Sequence, residues 1–447
     1  HATQLTERAR YYLEASGFKF AENWCEPVVD VFAERLRVTG FDVRTDEDNA
    51  KQEAEFAGWL ADLWERNRMD GVQGTVHTQS VMKSEAFVAV DYDEDKQRPR
   101  WTWNPAERCK AIYSEDRPDE VEMAVKVWSS SEAGPSNAMG ARVARMNLYY
   151  PDRVEKYFRR HNSARGGWAR WMDDGDEAWP VPWVDKQGAP LGVGLIHFRN
   201  KPLGSTRGRS RLRSVLPMQD EINKLVLDMN AIIDMQGYPQ RYISTDADTS
   251  SFTVSPGEIW KIGPNDSAGQ FAAADAVGVH DAIESTLSRL ARRTRTPLHL
   301  LTGGAMPSGE ALKSAEAGLV SGVREAMVGY GNAWEDVIGL GIRLTATFGT
   351  LPIAVDPSTI VISTQWDDPE SRNIKEEAET AVIKRDLGVS KATLLTELGY
   401  DPEQEAERRA LEADETAAAL GSWMNGGAGM GGTAIPTGGT VMPMGTA

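Results

Sequence analysis

The sequence predicts an α+β fold, and three observations carry that reading. Amphipathic helical stretches open the chain, short β-rich segments follow to about residue 200, and long helical segments fill most of the rest. The 447 residues, 41% apolar and 26% charged, suffice for about three domains of roughly 100 to 200 residues each.

In chain order, "NWCEPVVDVFAERLRVTGF" places Val28, Val31, Phe32 and Leu36 on one helical face. "EAEFAGWLADLWERN" does the same with Phe56, Leu60, Leu63 and Trp64, so each stretch reads as a helix with a stripe facing the core. From "EAFVAVDYDED" to "LIHFRNKP" the pattern changes to runs such as "RWTWN", "EVEMAVKVW", "RMNLYY" and "VEKYFRR", broken by "SSSEAGPSNAMG" and "NSARGG". That alternation predicts an antiparallel β region. Trp168, Trp171, Trp179 and Trp183 crowd its end; Asp173, Asp174, Asp176 and Glu177 among them favour packing over a stacking platform for single-stranded nucleic acid.

"SRLRSVLPMQDEINKLVLDMNAIIDMQGYP" is the clearest helix, because Val215, Met218, Ile222, Leu225, Met229 and Ile232 recur three and four apart. Pro217 marks its first turn, and Gly237 and Pro239 stop it. A short β unit follows, "RYIS" then "GEIWKIG", and a second helix returns over "VHDAIESTLSRLARRTRT" with Val279, Ile283, Leu287 and Leu290 inward. Arg289, Arg292, Arg293 and Arg295 close it; they complement the negative helix end and pair with carboxylates, or they face DNA or a neighbouring subunit.

"LLTGGAMPSGEALKSAEAGL" has the glycine spacing of a phosphate-binding loop in Gly304 and Gly309. Glu310 stands where that loop needs its lysine, and Lys313 and Ser314 come a helical turn too late. The stretch reads instead as a connection into a helix begun by Pro307 and Ser308, with Glu310 complementing its positive end. That helix should run from Ser308 to about Leu344. Ala311, Ala315, Gly318, Gly322, Ala326, Gly329 and Ala333 form a stripe of small residues, and Leu312, Leu319, Val323, Met327, Tyr330, Trp334 and Val337 an apolar one. Each interior glycine costs about 1 kcal/mol relative to alanine, so close approach to a neighbour, or a kink, has to offset it. The strand "TIVISTQW", the helices "SRNIKEEAETAVIKRDLG" and "SKATLLTELG" and a charged run follow, and from Asn425 the tail has too little apolar content to fold alone.

The net charge of −17 argues against a protein that grips phosphate backbones along its surface, though not against one that DNA slides past. No apolar run approaches the roughly 18 residues of a membrane span, and no signal-peptide pattern opens the chain, so no membrane partner is expected. Cys25 and Cys109 lack the spacing of a zinc site. His77, His161, His197, His280 and His299 are scattered, and Asp367 and Asp368 read as a capping turn. No metal, cofactor or catalytic set is expected, and hence no enzyme.

Several segments in this order resemble the portal proteins of tailed bacteriophages, of the siphophage type: "YYPDRVEKYF" with "GLIHFRNKP", "GRSRLRSVLPMQDEINKLVLDM", and "TPLHLLTGGAMPSGEALKSAEAGLVSGV". The likeness covers most of the chain and is most specific from about Leu195 to Gly341. It implies a wing over residues 1–210, an outgoing stem helix over 211–236, a clip over 237–276 and a returning stem helix over 277–296. The wing resumes over 297–368, followed by a helical crown over 369–424 and a flexible tail over 425–447. Within the resumed wing, Thr302, Gly303, Gly304, Ala305, Met306, Pro307 and Ser308 would form a tunnel loop leading into a long kinked helix. Tyr242, Ile243, Glu258, Trp260 and Lys261 would make the clip contacts, and Arg289, Arg292, Arg293, Arg295 and Lys313 would face DNA or a neighbouring subunit.

The resemblance further implies a homo-oligomeric ring of twelve subunits at one capsid vertex of the virion, assembled in the host cytoplasm. Double-stranded DNA would pass through it without sequence specificity. Its partners would be the terminase large subunit, the major capsid and scaffolding proteins, and a head-to-tail connector. The rival readings are another structural ring of the virion, such as a connector, and a nucleotide-binding packaging enzyme, which would need the lysine that Glu310 replaces.

Overall fold

The computed structural model describes residues 22–45, 50–132, 141–160, 167–173, 178–204, 206–237, 241–245, 263–270, 276–303, 309–370 and 374–397, with a few isolated positions besides. The chain divides into two compact units, His1–Glu370 and Ser371–Ala447.

The first unit opens with α1 (Cys25–Ala33), which buries Val28, Val29 and Phe32. The expected helix through "RLRVTGF" does not form: β1 (Val38–Arg44) starts there, its alternate residues Phe41 and Val43 buried. It pairs antiparallel with β13 (Val361–Trp366), which lies more than 300 positions away in the chain. α2 (Ala50–Arg66) buries the expected Phe56, Leu60, Leu63 and Trp64. α3 (Met69–Lys83) is a helix that periodicity did not single out, because half of its buried positions, Gln73, His77 and Ser80, are polar.

The expected β region separates into two antiparallel sheets. One has three strands in the order β10 (Leu195–Arg199), β2 (Glu85–Asp93), β3 (Arg98–Pro105). The other holds β4 (Cys109–Tyr113), β5 (Val121–Glu132), β6 (Ala141–Tyr149), β7 (Arg153–Arg160) and β8 (Ala169–Arg170), with β9 (Val181–Pro182) also on β7.

Ser210 Oγ accepts from the Leu212 amide and starts a 3₁₀ turn over Arg211–Ser214, so the outgoing helix proper is α4 (Leu216–Gly237) and not one helix from Arg211. α4 packs on α5 (Ala276–Thr294) through Ile222, Val226, Ile283, Leu287 and Leu290, with Val28 of α1 at the foot of the pair. Between them β11 (Arg241–Ser244) pairs with β12 (Ser267–Gln270), Tyr242 opposite Gly269.

A short helix, α6 (Leu298–Thr302), precedes α7, which is continuous over 40 residues from Gly309 to Phe348, about 60 Å at a rise of about 1.5 Å per residue. α7 is the spine of the main core. Leu319, Val323, Met327, Tyr330, Trp334, Val337 and Ile338 are buried along one side, and Trp334 packs edge-on to Trp64 and Phe198.

In the second unit, α8 (Ile374–Asp386) and α9 (Lys391–Glu397) are joined at Gly388, whose φ of +91° suits a residue without Cβ. Leu394 is buried within this unit. Glu258, Trp260, Lys261, His161 and the tail 425–447 lie outside the described residues.

Candidate functional site

The chemistry-bearing side chains gather where the foot of the α4/α5 pair meets α7. The stretch from His197 to Ser214 contains no acidic residue and six cations, so any concave surface it lines has to be basic. Asn200 fixes the first half of this stretch: its amide takes the Ser84 carbonyl at 2.9 Å, its carbonyl accepts from the Arg209 amide at 2.6 Å, and its side-chain amide donates to the Arg209 carbonyl at 2.6 Å. Gly208 sits inside that clamp. A Cβ there would fall 2.0 Å from the Ser84 oxygen and 2.6 Å from the Asn200 oxygen, so only glycine lets the two backbones approach.

Beyond the clamp, Arg211 turns inward and is largely buried. Its Nη2 donates to the Thr294 carbonyl at 2.6 Å, its Nε donates to the Val28 carbonyl at 3.3 Å, and the guanidinium lies 4.2 Å from the Phe32 ring centre. It thereby ties α1, the 3₁₀ turn and the end of α5 together. Burial, and then the charge of Arg295, push its pKa down to about 10, which leaves it charged at neutral pH.

Arg295 itself ends α5 in an unusual way. The Thr296 amide reaches the Ala291 carbonyl at 3.0 Å and the Arg295 amide reaches Arg292, the pattern of a helix end that needs a left-handed residue between. That residue is Arg295, at φ +54°, where glycine is the usual occupant. The returning helix therefore stops at Thr294, short of the expected 296, and the Arg295 side chain lies across Gly318 of α7 at 3.6 Å from the position a Cβ would take.

The result is a cleft of about 920 Å³. Its cations are Arg199, Lys201, Arg209, Arg211, Arg213, Arg293 and Arg295 against one carboxylate, Glu325, so it is strongly basic on a chain of net charge −17. Its floor is the small-residue face of α7, Gly318, Gly322, Ala326 and Gly329, with Phe32 beside it.

Of the expected cations, Arg293 and Arg295 reach this cleft. Arg289 does not; it pairs across the α4/α5 pair with Glu221 at 2.6 Å, both half-exposed, a contact of small energetic weight. Arg292 and Lys313 are exposed and do not line the cleft. The cations from Lys201 to Arg213 were not singled out from the sequence, although the run free of acidic residues was a legible signal.

Of the expected tunnel loop, Thr302 belongs to α6 as its last residue, its hydroxyl donating to the Leu298 carbonyl at 3.0 Å. Gly303 caps that helix at φ +65°, and Gly304, Ala305, Met306, Pro307 and Ser308 lie outside the described residues. Glu316, about two turns into α7, is buried, with Arg35 at 3.5 Å and His299 at 3.7 Å, which ties α7 to the turn after α1 and to α6. Of the small stripe, Ala311, Ala315, Gly318 and Gly329 are exposed, Gly322 and Ala326 half-buried and Ala333 buried. A Cβ at Gly329 would meet nothing, and one at Gly322 only the Phe32 ring at 3.5 Å, so packing inside one chain does not demand these glycines. Of the expected clip contacts, Tyr242 is 47% exposed and Ile243 half-buried.

The tryptophan cluster is a packed edge of the larger sheet. Trp183 is buried and donates to the Gly192 carbonyl, Arg145 stacks on Trp171 and Arg170 on Trp179, each at 4.0 Å, and Lys156 bridges to Asp173 and Asp176. Asp367 and Asp368 form a turn after β13, its amide hydrogen-bonded to Arg37 and its Asp368 carboxylate 3.8 Å from Arg324. His197 is held between Tyr113 and Glu85 rather than at an open site. Among the described residues no group of three or more His, Cys, Asp or Glu could hold a metal ion, and no helix is long and apolar enough to cross a membrane.

The chain is similar to known proteins over nearly all its length. It is 24% identical over 421 residues to the portal protein of Mycobacterium phage L5 and 25% identical over 420 residues to that of Mycobacterium phage D29, each match spanning 88% of this chain and 79% of the relative. Among solved structures, a chain from the neck of an empty GTA particle aligns at a TM-score of 0.48, with 12% identity, over 88% of this chain and 94% of its own. A chain from the neck of the native particle aligns at 0.44, with 12% identity, over 89% and 95%. The family model of the phage portal protein, SPP1 Gp6-like, matches residues 19–419, taking in the α4/α5 pair, the cleft and α7 together, and the chain therefore belongs to the SPP1 Gp6-like family of phage portal proteins.

Proposed function

We propose that this chain is the subunit of a ring channel at one capsid vertex, through which double-stranded DNA is packaged and later ejected. In this reading it docks the terminase motor during packaging and head-to-tail connector proteins afterwards. It is a structural component and not an enzyme. The observation that carries the reading is the family match over residues 19–419, which runs through the whole order of elements and not through one motif. The paired helices α4 and α5 with a small β cap, leading through α6 into the 40-residue α7, supply the rods and spine such a channel needs. Net charge supports it from another side, because a wall of net negative sign lets a polyanion slide past while local cations supply weak contacts.

The test is a nuclease-protection assay on particles assembled with and without this chain. The proposal expects protected full-length DNA only in particles that contain it. Equal protection in particles lacking it would overturn the reading. Binding of ATP by the purified chain, measured by equilibrium dialysis, would favour the nucleotide-enzyme alternative despite Glu310 in the lysine position.

A further inference from the structure

The basic cleft and the outer face of α2 have complementary chemistry on one chain. The cleft sets Lys201, Arg209, Arg211, Arg213, Arg293 and Arg295 around a floor made by the small residues of α7. On α2, the exposed residues include Ala54, Glu55, Gly58, Ala61, Asp62 and Glu65, with the cations Lys51 and Arg66 at the two ends of the helix. Ala54, Gly58 and Ala61 form a ridge at helical spacing with carboxylates along its flank, and a Cβ added at Gly58 would meet nothing within 4 Å. Among the described residues Asp62 pairs with Arg66 on its own helix, a pair more than half exposed on both sides and easily exchanged.

We propose that the cleft is the socket for α2 of a second copy of this chain, the contact that joins neighbours in the ring; the inference rests on the ring reading above. Copies of net charge −17 repel one another, so their association needs a local patch of the opposite sign, and the cleft is such a patch. The occupant has to bring carboxylates and yet come close to a helix of glycines and alanine, which a narrow helix face with small residues does. A phosphate backbone would satisfy the cations and leave the apolar floor and Phe32 uncovered. Socket and ridge are different patches of one chain, so the contact is head-to-tail and propagates from copy to copy until a ring closes.

The test reverses charges on the full-length chain and reads assembly by mass photometry across a concentration series. R209E with R293E alters the socket, and E55R with D62R alters the ridge; all four positions are exposed, and circular dichroism checks that each variant folds. Each reversal alone should raise the concentration for half-assembly by about tenfold or more, and the chain carrying both should return to within about threefold of wild type. A ridge reversal without effect, or a combination no better than the socket reversal alone, overturns the socket. So does a socket variant that assembles normally but loses retention of short duplex DNA, which would make the cleft a polyanion site. As a second readout, G58C chains mixed with G322C chains should form a covalent dimer under mild oxidation. Rings that form without that cross-link would contradict this contact and leave the channel reading standing, whereas a wild-type chain that never assembles would remove both.

Discussion

His77 lies fully buried between helices, and both ring nitrogens are engaged: Nδ1 donates to the Leu36 carbonyl at 2.9 Å, and Nε2 accepts from the Trp334 indole at 2.9 Å. A proton added to Nε2 would oppose the indole donor, and burial holds the pKa at about 4 against 6.5 in the unfolded chain. Between these values the unfolded state binds the extra proton, so the His77 contribution is intact above pH 6.5 and is lost as the pH falls towards 4. The full loss is on the order of 3 kcal/mol. Denaturant melts of the wild type and of His77→Gln from pH 7 to pH 4 should show the wild type losing that much more than the variant; parallel curves would contradict the assignment. In the cleft, Arg295→Gly relieves a left-handed backbone worth about 1 kcal/mol while deleting a cation from its lining. Thermal melting should hold or rise and assembly should weaken, a combination that a purely structural role for Arg295 does not produce.

At the scale of elements, α7 carries the sharpest expectation. Its glycines are costly in a helix, yet at 318, 322 and 329 an added Cβ meets side-chain atoms at ordinary contact distance or nothing. Gly329→Ala should therefore stabilise the isolated chain by about 0.5 to 1 kcal/mol, measured by chemical unfolding. Replacing Gly318 and Gly322 by leucine should leave the chain folded but block ring assembly or packaging; normal assembly would count against a neighbour on that face. Gly208→Ala is the contrast, since its Cβ meets backbone at 2.0 Å, and it should cost about 2 kcal/mol or more by the same measurement. Regular elements with a clean apolar stripe were legible in advance: Val215 just before α4 and Ile222 on it, and Phe56, Leu60 and Leu63 on α2, are buried as their spacing implies. α3 was not, because Gln73, His77 and Ser80 face the core through hydrogen bonds that no hydropathy pattern encodes. The pairing of Val38 with Trp366 depends on tertiary closure and leaves no local trace. The site was half-legible: Arg293 and Arg295 were singled out at a helix end, whereas the cations from Lys201 to Arg213, although they stand in one run, were passed over, because the meeting of the two groups in one cleft depends on tertiary closure that no local pattern encodes.

For the whole molecule, a chain of net charge −17 carries a basic cleft whose floor glycines, at 318, 322 and 329, are not demanded by packing inside the chain. A monomer gains nothing from glycines it does not need, nor from seven cations gathered around one carboxylate. Both features are accounted for if the chain works as a copy among copies, as its membership of the phage portal family suggests. Assembly should then depend on salt: raising ionic strength screens the general repulsion between acidic copies as well as the socket contact, and the buried part of the socket, with Arg211 at its base, is screened least. The most direct measurement of the central claim is negative-stain imaging of the purified protein with a mass determination on the same sample. The account predicts rings of about a dozen copies around a central hole, the closed form that head-to-tail contacts reach. A particle that stays monomeric at every concentration, or that associates into open or irregular clusters without a hole, would contradict it.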